Sequence, residues 1–493
     1  MSTAASQSPS SPLLIGWGTA DITPPEPVLI FGQFHGRLPE EPAEPLSATA
    51  LILDNGTIRT ALISCDLESI FTPFEPPLRQ SIVNAVPELA NCTIIINATH
   101  THTAPEIIDY NGYFTATAHE KIDLPVMKPQ AVCDFIVKQV TAAVTAAWQN
   151  RQPGKVAWGL DFAVVGRNRR WTDTKGNSTM YGNIAIPEFS HIEGFEDHSV
   201  NTLATYTPDL SLTGVVINLA CPSQVRENDY RYSPDFWLET RQLLQQQFGQ
   251  SLFVLGQCSA AGDQSPRPFY DKDAIARMER LRGQSQRLAI ATRLARAVAD
   301  TVATITPEAT DNPILAAIEK VATLPLNNLS EADAAHSAAE LAAFEAERDA
   351  EIERLAANPA LLSEPRWYIK LTTATQRANW HRGVVNRYRE LQQNPNASRN
   401  FTLRSIRVGD IAFLSNPFEL YLDYAIRIKA RSPFLQTFII QLAGSEGYLS
   451  THRSTRAGGY GSIPPSTPIG PEGGDVFTAQ ALNLLAELNS RNS

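Results

Sequence analysis

Two histidines separated by one residue, His100 and His102, follow a short apolar run in the segment CTIIINATHTHTAP. In an extended backbone, side chains two residues apart point to the same side, so two imidazoles would face one point. A pair of neutral imidazole nitrogens is a common part of a zinc site. The competing interpretation is a polar loop with two solvated histidines, and the spacing taken by itself leaves both open.

The residues before the histidines predict a buried strand. Residues 93–96 are β-branched and too few for a helix, so the strand should run into a loop at Asn97. Because loops converge at the carboxyl ends of strands in α/β proteins, the polar groups that follow such strands should meet in one place. Further strand ends of this kind are predicted at Cys65-Asp66, Cys221-Pro222, residues 262–265, residues 416–419 and Gly447-Tyr448.

The surrounding elements predict a mixed α/β architecture. Residues 47–64 read as a β-hairpin around Asp54-Asn55-Gly56, and residues 130–148 carry the apolar face of a helix. Several hairpins argue against a purely parallel sheet. Residues 328–394 are rich in Ala, Glu, Leu and Arg at helical spacing, which predicts a helical hairpin inserted on the surface, with charges that form a solvated face rather than a site.

Composition excludes several classes of function. Hydrophobic residues make up 43% and charged residues 19% of the 493 residues, which is ordinary for a globular protein. No apolar run approaches the roughly 20 residues of a membrane helix, so we expect no membrane insertion. A net charge of -10 argues against nucleic acid as a partner, because binding to nucleic acid needs a basic surface.

The termini and cysteines indicate the cellular setting. Residues 1–12 have neither a basic n-region nor an apolar h-region, so they predict a disordered lead-in rather than a secretory signal. The five cysteines are odd in number and scattered, which is not a disulfide framework. We therefore expect a reducing, cytoplasmic location. The oligomeric state stays open.

Several motifs resemble those of the neutral, non-lysosomal ceramidase family. They occur in the family's order from Gly16 to about Tyr460: GWGTADITPP, ATHTHTAP, GRNRR, GDQSP, PFE, GYLST and GGY. The resemblance implies a ceramidase-like α/β catalytic domain over residues 13–493, with mixed β-sheets, flanking helices and the helical insertion at about 328–394. We also expect the family's C-terminal immunoglobulin-like domain to be absent.

The resemblance implies a zinc-dependent amidase with one Zn²⁺ ion and a small-molecule substrate that carries an amide, possibly an N-acyl group. An ion with an open coordination position lowers the pKa of water to about 7 and polarises a carbonyl. The matched positions receive these roles: His100, Glu419 and Tyr448 as metal ligands, His102 in the substrate and water network, Arg169 and Tyr460 at the scissile carbonyl or oxyanion, and Ser265 beside the reacting water.

Cys221 marks a departure from the family pattern. The family has a second zinc histidine before a proline, whereas this chain has Cys221 before Pro222. A thiolate is a good zinc ligand, so Cys221 is a fourth candidate ligand. Small buried cysteines are also common core fillers, and the sequence leaves the two interpretations equal.

Two other classes of function stay open. A metal-free hydrolase would use Ser265 or Cys258 as nucleophile and would need a base within hydrogen-bond reach. A non-catalytic binding protein could have kept the pocket after losing the second histidine. Three further residues have predicted supporting roles: Asp66 and Asp263 as acceptors that orient the histidines, and His452 as a possible substrate contact.

Overall fold

The computed structural model describes residues 12–110, 112–114 and 124–491. The predicted disordered lead-in therefore lies outside the described residues except for Pro12. The strands are, in chain order, β1 (Leu14–Asp21), β2 (Ser47–Asp54), β3 (Arg59–Cys65), β4 (Thr93–Ala98), β5 (Gln152–Pro153), β6 (Lys155–Phe162), β7 (Arg167–Asn168), β8 (Arg170–Asp173), β9 (Ser178–Met180), β10 (Phe189–Ile192), β11 (Ser199–Tyr206), β12 (Leu212–Leu219), β13 (Phe253–Cys258), β14 (Gln264–Ser265), β15 (Leu315–Pro325), β16 (Ser398–Val408), β17 (Ile411–Ser415), β18 (Glu419–Leu420), β19 (Gln436–Ile440) and β20 (Tyr448–Leu449).

The α-helices among the described residues cover both core-packing helices and surface helices. They are α1 (Glu75–Ala85), α2 (Pro129–Gln149), α3 (Trp237–Phe248), α4 (Lys272–Arg282), α5 (Gln286–Ile305), α6 (Glu331–Ala357), α7 (Ile369–Gln393), α8 (Leu422–Arg431), α9 (His452–Ala457) and α10 (Pro471–Ser490). The predicted mixed α/β architecture is confirmed. We also expected residues 416–419 to start a helix, and this prediction is wrong, because Glu419 belongs to β18 and α8 begins at Leu422.

Three sheets share one topology. In each sheet three strands pair antiparallel in sequence order, and a fourth strand then pairs parallel with the third after a helical crossover. The units are β1-β2-β3-α1-β4, β6-β11-β12-α3-β13 and β15-β16-β17-α8-β19. A parallel pair needs such a crossover, because a tight turn can join only antiparallel strands.

The three sheets enclose a common core. One cluster of buried side chains draws on all of them, including Trp17, Leu255, Phe413 and Phe438. The outer faces are covered by α1 with α2, by α3 with α5, and by α8 with α10. Polar contacts also join the sheets: the Asn218 side-chain amide donates to the Ile439 carbonyl at 2.8 Å. The carboxyl ends of the three parallel pairs are thereby held near one another.

The predicted helical insertion is present as α6 and α7. Ser330 and Asp333 form a capping box at the start of α6, which satisfies the amide groups of its first turn. The hairpin was expected on the surface, but one side of α7 packs into the protein. Its His381 and Val384 are buried against neighbouring residues, and Trp380 contacts the aromatic residues Phe34 and Tyr460.

One helix of the described residues, α2, is long and apolar enough to cross a membrane by length and composition alone. Its buried side chains include Val132, Ile136, Val140 and Val144, and they belong to the cluster that covers the first sheet. In this structure α2 is therefore a core helix.

Gly18 on β1 allows close contact between strand and helix. A Cβ at position 18 would lie 2.1 Å from the carbonyl oxygen of Ala143 on α2. We expect Gly18→Ala to destabilise the protein by about 3 kcal/mol or more, because the backbone of α2 must move. A lower thermal unfolding midpoint would show this effect.

Gly383 on α7 gives the matched control. A Cβ there would meet only the Arg387 Nη1 atom, at 3.4 Å, and alanine is the better helix former. Gly383→Ala should therefore be neutral or stabilise by up to about 1 kcal/mol. Equal melting of the two variants would contradict the proposed close packing of β1 on α2.

Candidate metal centre and active site

The histidine pair lies in a turn rather than in a strand. β4 ends at Ala98, and His100 has a φ of 60°, in the left-handed region. The strand gives way to a loop within one residue of the predicted Asn97, so the extended backbone does not persist to His100, yet the two rings still meet with centroids 4.9 Å apart. A left-handed non-glycine residue is unfavourable and is found most often at functional sites.

One nitrogen of His100 is free for a ligand. Its Nδ1 lies 2.9 Å from the Glu68 carbonyl oxygen, which can only accept, so Nδ1 carries the proton. The buried Nε2 has no hydrogen-bond partner among the described residues and lies 3.4 Å from Glu419 Oε2. This arrangement is typical of metal-binding histidines, in which a second acceptor fixes the tautomer and aims the other nitrogen at the ion.

Glu419 and Tyr448 reach the same point from neighbouring strands. They are paired residues of the parallel strands β18 and β20. The Tyr448 hydroxyl hydrogen-bonds to Glu419 and accepts from Arg169 Nη2 at 3.1 Å. Arg169 Nη2 also lies 3.6 Å from Glu419 Oε2. The structure thus brings together His100, Glu419 and Tyr448, the three ligands that the resemblance implied.

His102 is held as a neutral imidazole. Gln224 Oε1 accepts from Arg169 Nη1 at 3.4 Å, so its amide nitrogen faces His102 Nε2 at 2.7 Å. That ring nitrogen must accept, which leaves the proton on Nδ1, 3.4 Å from a Glu227 carboxylate oxygen. Burial lowers the pKa of His102 to about 4. Arg37 fixes the loop by donating to the carbonyl oxygens of His102 and Glu227.

Glu68 adds a second carboxylate beside the histidines. Ligand atoms of Glu68, His100 and His102 lie within 4.8 Å of one another, so this trio could also hold an ion. We favour the Glu419 side of His100, because the Nδ1 near Glu68 is already engaged with a backbone carbonyl. Burial raises the pKa of Glu68 to about 7.

Neighbouring charges and burial shift the pKa values of the three candidate ligands. Burial lowers the pKa of His100, but the neighbouring carboxylate of Glu419 and the charge of Glu68 outweigh it and raise that pKa. Burial raises the pKa of Glu419, yet His100 and Arg169 bring it below its ordinary value. Burial, the charge of Glu419 and the neighbouring Tyr460 raise the pKa of Tyr448 far above its ordinary value. Without an ion the phenol is therefore protonated.

Ser265 joins the centre through Tyr181. The Tyr181 hydroxyl donates to Ser265 Oγ at 3.3 Å and accepts from Arg169 Nη1 at 3.2 Å. The Ser265 hydroxyl oxygen also accepts the Arg267 backbone amide at 3.1 Å. No His, Asp or Glu among the described residues hydrogen-bonds to Ser265. Tyr460 stands on the opposite side, with its ring 5.6 Å from that of Tyr448.

The Cys221 side chain lies in the hydrophobic cluster of the second unit. Its thiol is 3.4 Å from the Pro222 carbonyl oxygen, and burial raises its pKa well above the ordinary value. A protonated, buried thiol favours the interpretation of Cys221 as a core residue over that of a ligand.

We therefore expect Cys221→Ser to keep the metal content of the wild type, measured by elemental analysis of the purified protein. Cys258→Ser, also buried in the same region, is the matched control for any loss of stability. Loss of the ion in Cys221→Ser alone would identify Cys221 as a ligand after all.

Three supporting predictions are not met. Asp66 accepts from Arg241 and Ser47, and Asp263 accepts from Asn168 and the Leu422 amide, so neither orients a histidine. His452 forms an ion pair away from the histidines instead, with its Nε2 2.9 Å from an Asp475 carboxylate oxygen. The residues that do surround the histidines, and that sequence reasoning missed, are Glu68, Gln224 and Glu227.

A cavity of about 250 Å³ opens beside Glu68, Glu419 and Tyr448. Aromatic rings form two of its walls, one with Phe31, Phe71 and Tyr110 and one with Phe34, Trp380 and Tyr460. Trp380 comes from α7, so the inserted hairpin contributes directly to the site.

Comparison with known proteins identifies the fold. No family model and no curated protein matches the chain. Among solved structures, neutral ceramidase from Pseudomonas aeruginosa superposes with a TM-score of 0.66 at 15% identity, covering 98% of this chain and 75% of that chain. A ceramidase complexed with C2 gives 0.64 and 15%, covering 98% and 76%. The chain therefore has a neutral-ceramidase-like fold, as the resemblance predicted.

Proposed function

We propose that this chain, with its neutral-ceramidase-like fold, is a zinc-dependent amidase that hydrolyses a linear amide, an N-acyl amine or a related small molecule. The observation that carries the proposal is the convergence of His100 Nε2, Glu419 and Tyr448 around one point, next to Arg169. Three protein ligands with an open fourth position are the usual arrangement of a catalytic zinc site.

The donor set fits a metal ion of this type. His100 Nε2 is buried and has no hydrogen-bond partner in the part of the chain that the structure describes, and nitrogen, carboxylate and phenol oxygen donors suit Zn²⁺. The ion would be held by His100, Glu419 and Tyr448, with the Glu68 side of the histidine pair as the second choice. When bound, it would polarise the amide carbonyl and make a water nucleophilic near neutral pH.

Residues of the chain supply the remaining chemistry. Arg169 is buried and keeps its charge, so it can stabilise the oxyanion that forms as water adds to the carbonyl. His102 is neutral, and when the Gln224 amide releases its Nε2, that nitrogen can take a proton from the attacking water and pass it to the leaving nitrogen. The C–N bond breaks, the acyl carbon keeps the water oxygen, and the amine leaves protonated. Glu227 would stabilise the transient imidazolium.

The metal-free alternative has little support in the site. Ser265 has no base among its described hydrogen-bond partners. The Cys258 thiol donates to the Cys221 carbonyl, and burial raises its pKa, so it is a poor nucleophile. A cytoplasmic location belongs to the same proposal and is supported by five free cysteines.

The decisive experiment is a screen of N-acyl amines and amino-acid amides before and after prolonged chelation. We expect hydrolysis to disappear with the chelated metal and to return on adding Zn²⁺. Activity untouched by chelation would reject the metal mechanism, whereas about one tightly held ion without any hydrolysis would favour a binding protein.

A further inference from the structure

We propose that the cavity beside the metal centre recognises an alkylammonium group, so that the substrate is a short amide carrying a positive charge. This inference rests on the proposed amidase function for its catalytic part, but the ammonium site itself can be tested without catalysis. It is carried by the walls, the charges and the size of the cavity.

The walls of the cavity offer ring faces and edges at close range. Phe31 lies 4.5 Å from Tyr110 between ring centroids, and Phe34 lies 5.3 Å from Trp380. Ring faces attract cations through their quadrupole, most strongly where water is excluded. The second wall already holds one cation, since the Arg377 guanidinium carbon is 3.6 Å from the Phe34 ring centroid.

The charged groups of the cavity are all acidic. Glu68, Glu419 and Glu446 line it, and no Lys, Arg or His appears among the described lining residues. Glu419 is engaged with His100 and Arg169, but Glu68 Oε2 is buried and has no described hydrogen-bond partner. Away from Arg169, the described lining therefore favours a cationic group over an anionic one.

The size of the cavity restricts the substrate further. Its volume of about 250 Å³ lies below the roughly 300–1,000 Å³ of sites that enclose drug-sized ligands. A long acyl chain would not be enclosed, whereas a chain of four or five atoms ending in an ammonium group fits within this volume.

The first test measures binding to the full-length protein without substrate turnover. By calorimetry, n-butylammonium and tetramethylammonium should bind, and the neutral analogues n-pentane-1-ol and tert-butanol should bind at least about tenfold more weakly. Glu446→Gln should weaken ammonium binding about tenfold, while Glu347→Gln, a change on the exposed face of α6, should leave it unchanged. Equal binding of charged and neutral probes would overturn the inference.

The second test measures turnover with two amides of equal length. N-acetyl-1,4-diaminobutane carries the ammonium group, and N-pentylacetamide replaces it with a methyl group. We expect kcat/KM to be at least about tenfold higher for the charged amide, because its KM is lower while kcat is the same for both amides. In Glu446→Gln, the ratio of the two kcat/KM values should fall close to one. A preference for the neutral amide would overturn the inference. If neither amide is cleaved while ammonium ions still bind at Glu446, the amidase proposal fails and the cation site stands.

Discussion

His100→Ala is expected to remove the bound metal and to lower kcat/KM for any amide substrate by at least about 10³-fold, or roughly 4 kcal/mol of transition-state stabilisation. The physical reason is that, among the described residues, His100 supplies the one imidazole nitrogen that is buried, has no hydrogen-bond partner and lies beside Glu419. Without it, two oxygen donors remain beside the positive charge of Arg169, and a zinc ion would be weakly held. Elemental analysis and steady-state kinetics measure the two effects.

The control for this experiment is His191→Ala. His191 is exposed and hydrogen-bonds only to its neighbour Ser190 among the described residues, so both metal content and activity should be unchanged. Chelated His100→Ala should unfold below the chelated wild type by about 1–3 kcal/mol, because the buried imidazole and its bond to the Glu68 carbonyl are lost, and this comparison separates the stability effect from the loss of metal. Full metal content in His100→Ala would reject His100 as a metal ligand. Glu68 and His102 would then be the candidate ligands to test next.

The strand ends of the site were predictable from sequence because each carries a local signal. An apolar, β-branched run followed by polar residues predicts a buried strand and a functional loop, and this holds for β4 with its histidines and for β19 before Tyr448. The geometry of the histidine turn was not predictable, since no sequence rule requires His100 to adopt a positive φ.

The threefold repetition of the sheets depends on long-range pairing. β6 pairs with β11 although the short strands β7–β10 lie between them in the chain, and β15 pairs with β16 although α6 and α7 intervene. Local patterns predict the strands but not which of them pair, because pairing is decided by burial across the whole domain. The carboxylates Glu68 and Glu227 were missed for the same reason: each lies in a loop without a distinctive spacing.

Arg169→Met is the change with the second largest expected effect. The Arg169 side chain is almost fully buried and donates to four acceptors: the Gly262 carbonyl, Tyr448, Tyr181 and Gln224. Its removal leaves Glu419 buried without its guanidinium partner, which costs about 3–5 kcal/mol in comparable buried pairs. We expect a clear fall in the thermal unfolding midpoint together with a loss of activity of 10²-fold or more.

Arg169→Lys separates charge from geometry. Lysine keeps the positive charge near Glu419 but presents a single ammonium group, which cannot bridge Tyr448 and Gln224 at once as the forked guanidinium does. Because Gln224 then loses the donor that orients its amide, His102 should also lose its fixed tautomer. We therefore expect Arg169→Lys to recover most of the stability of the wild type and to remain about 10²-fold slower in kcat. Full recovery of kcat in Arg169→Lys would show that Arg169 acts through charge alone, and an unchanged kcat in Arg169→Met would remove it from the catalytic centre.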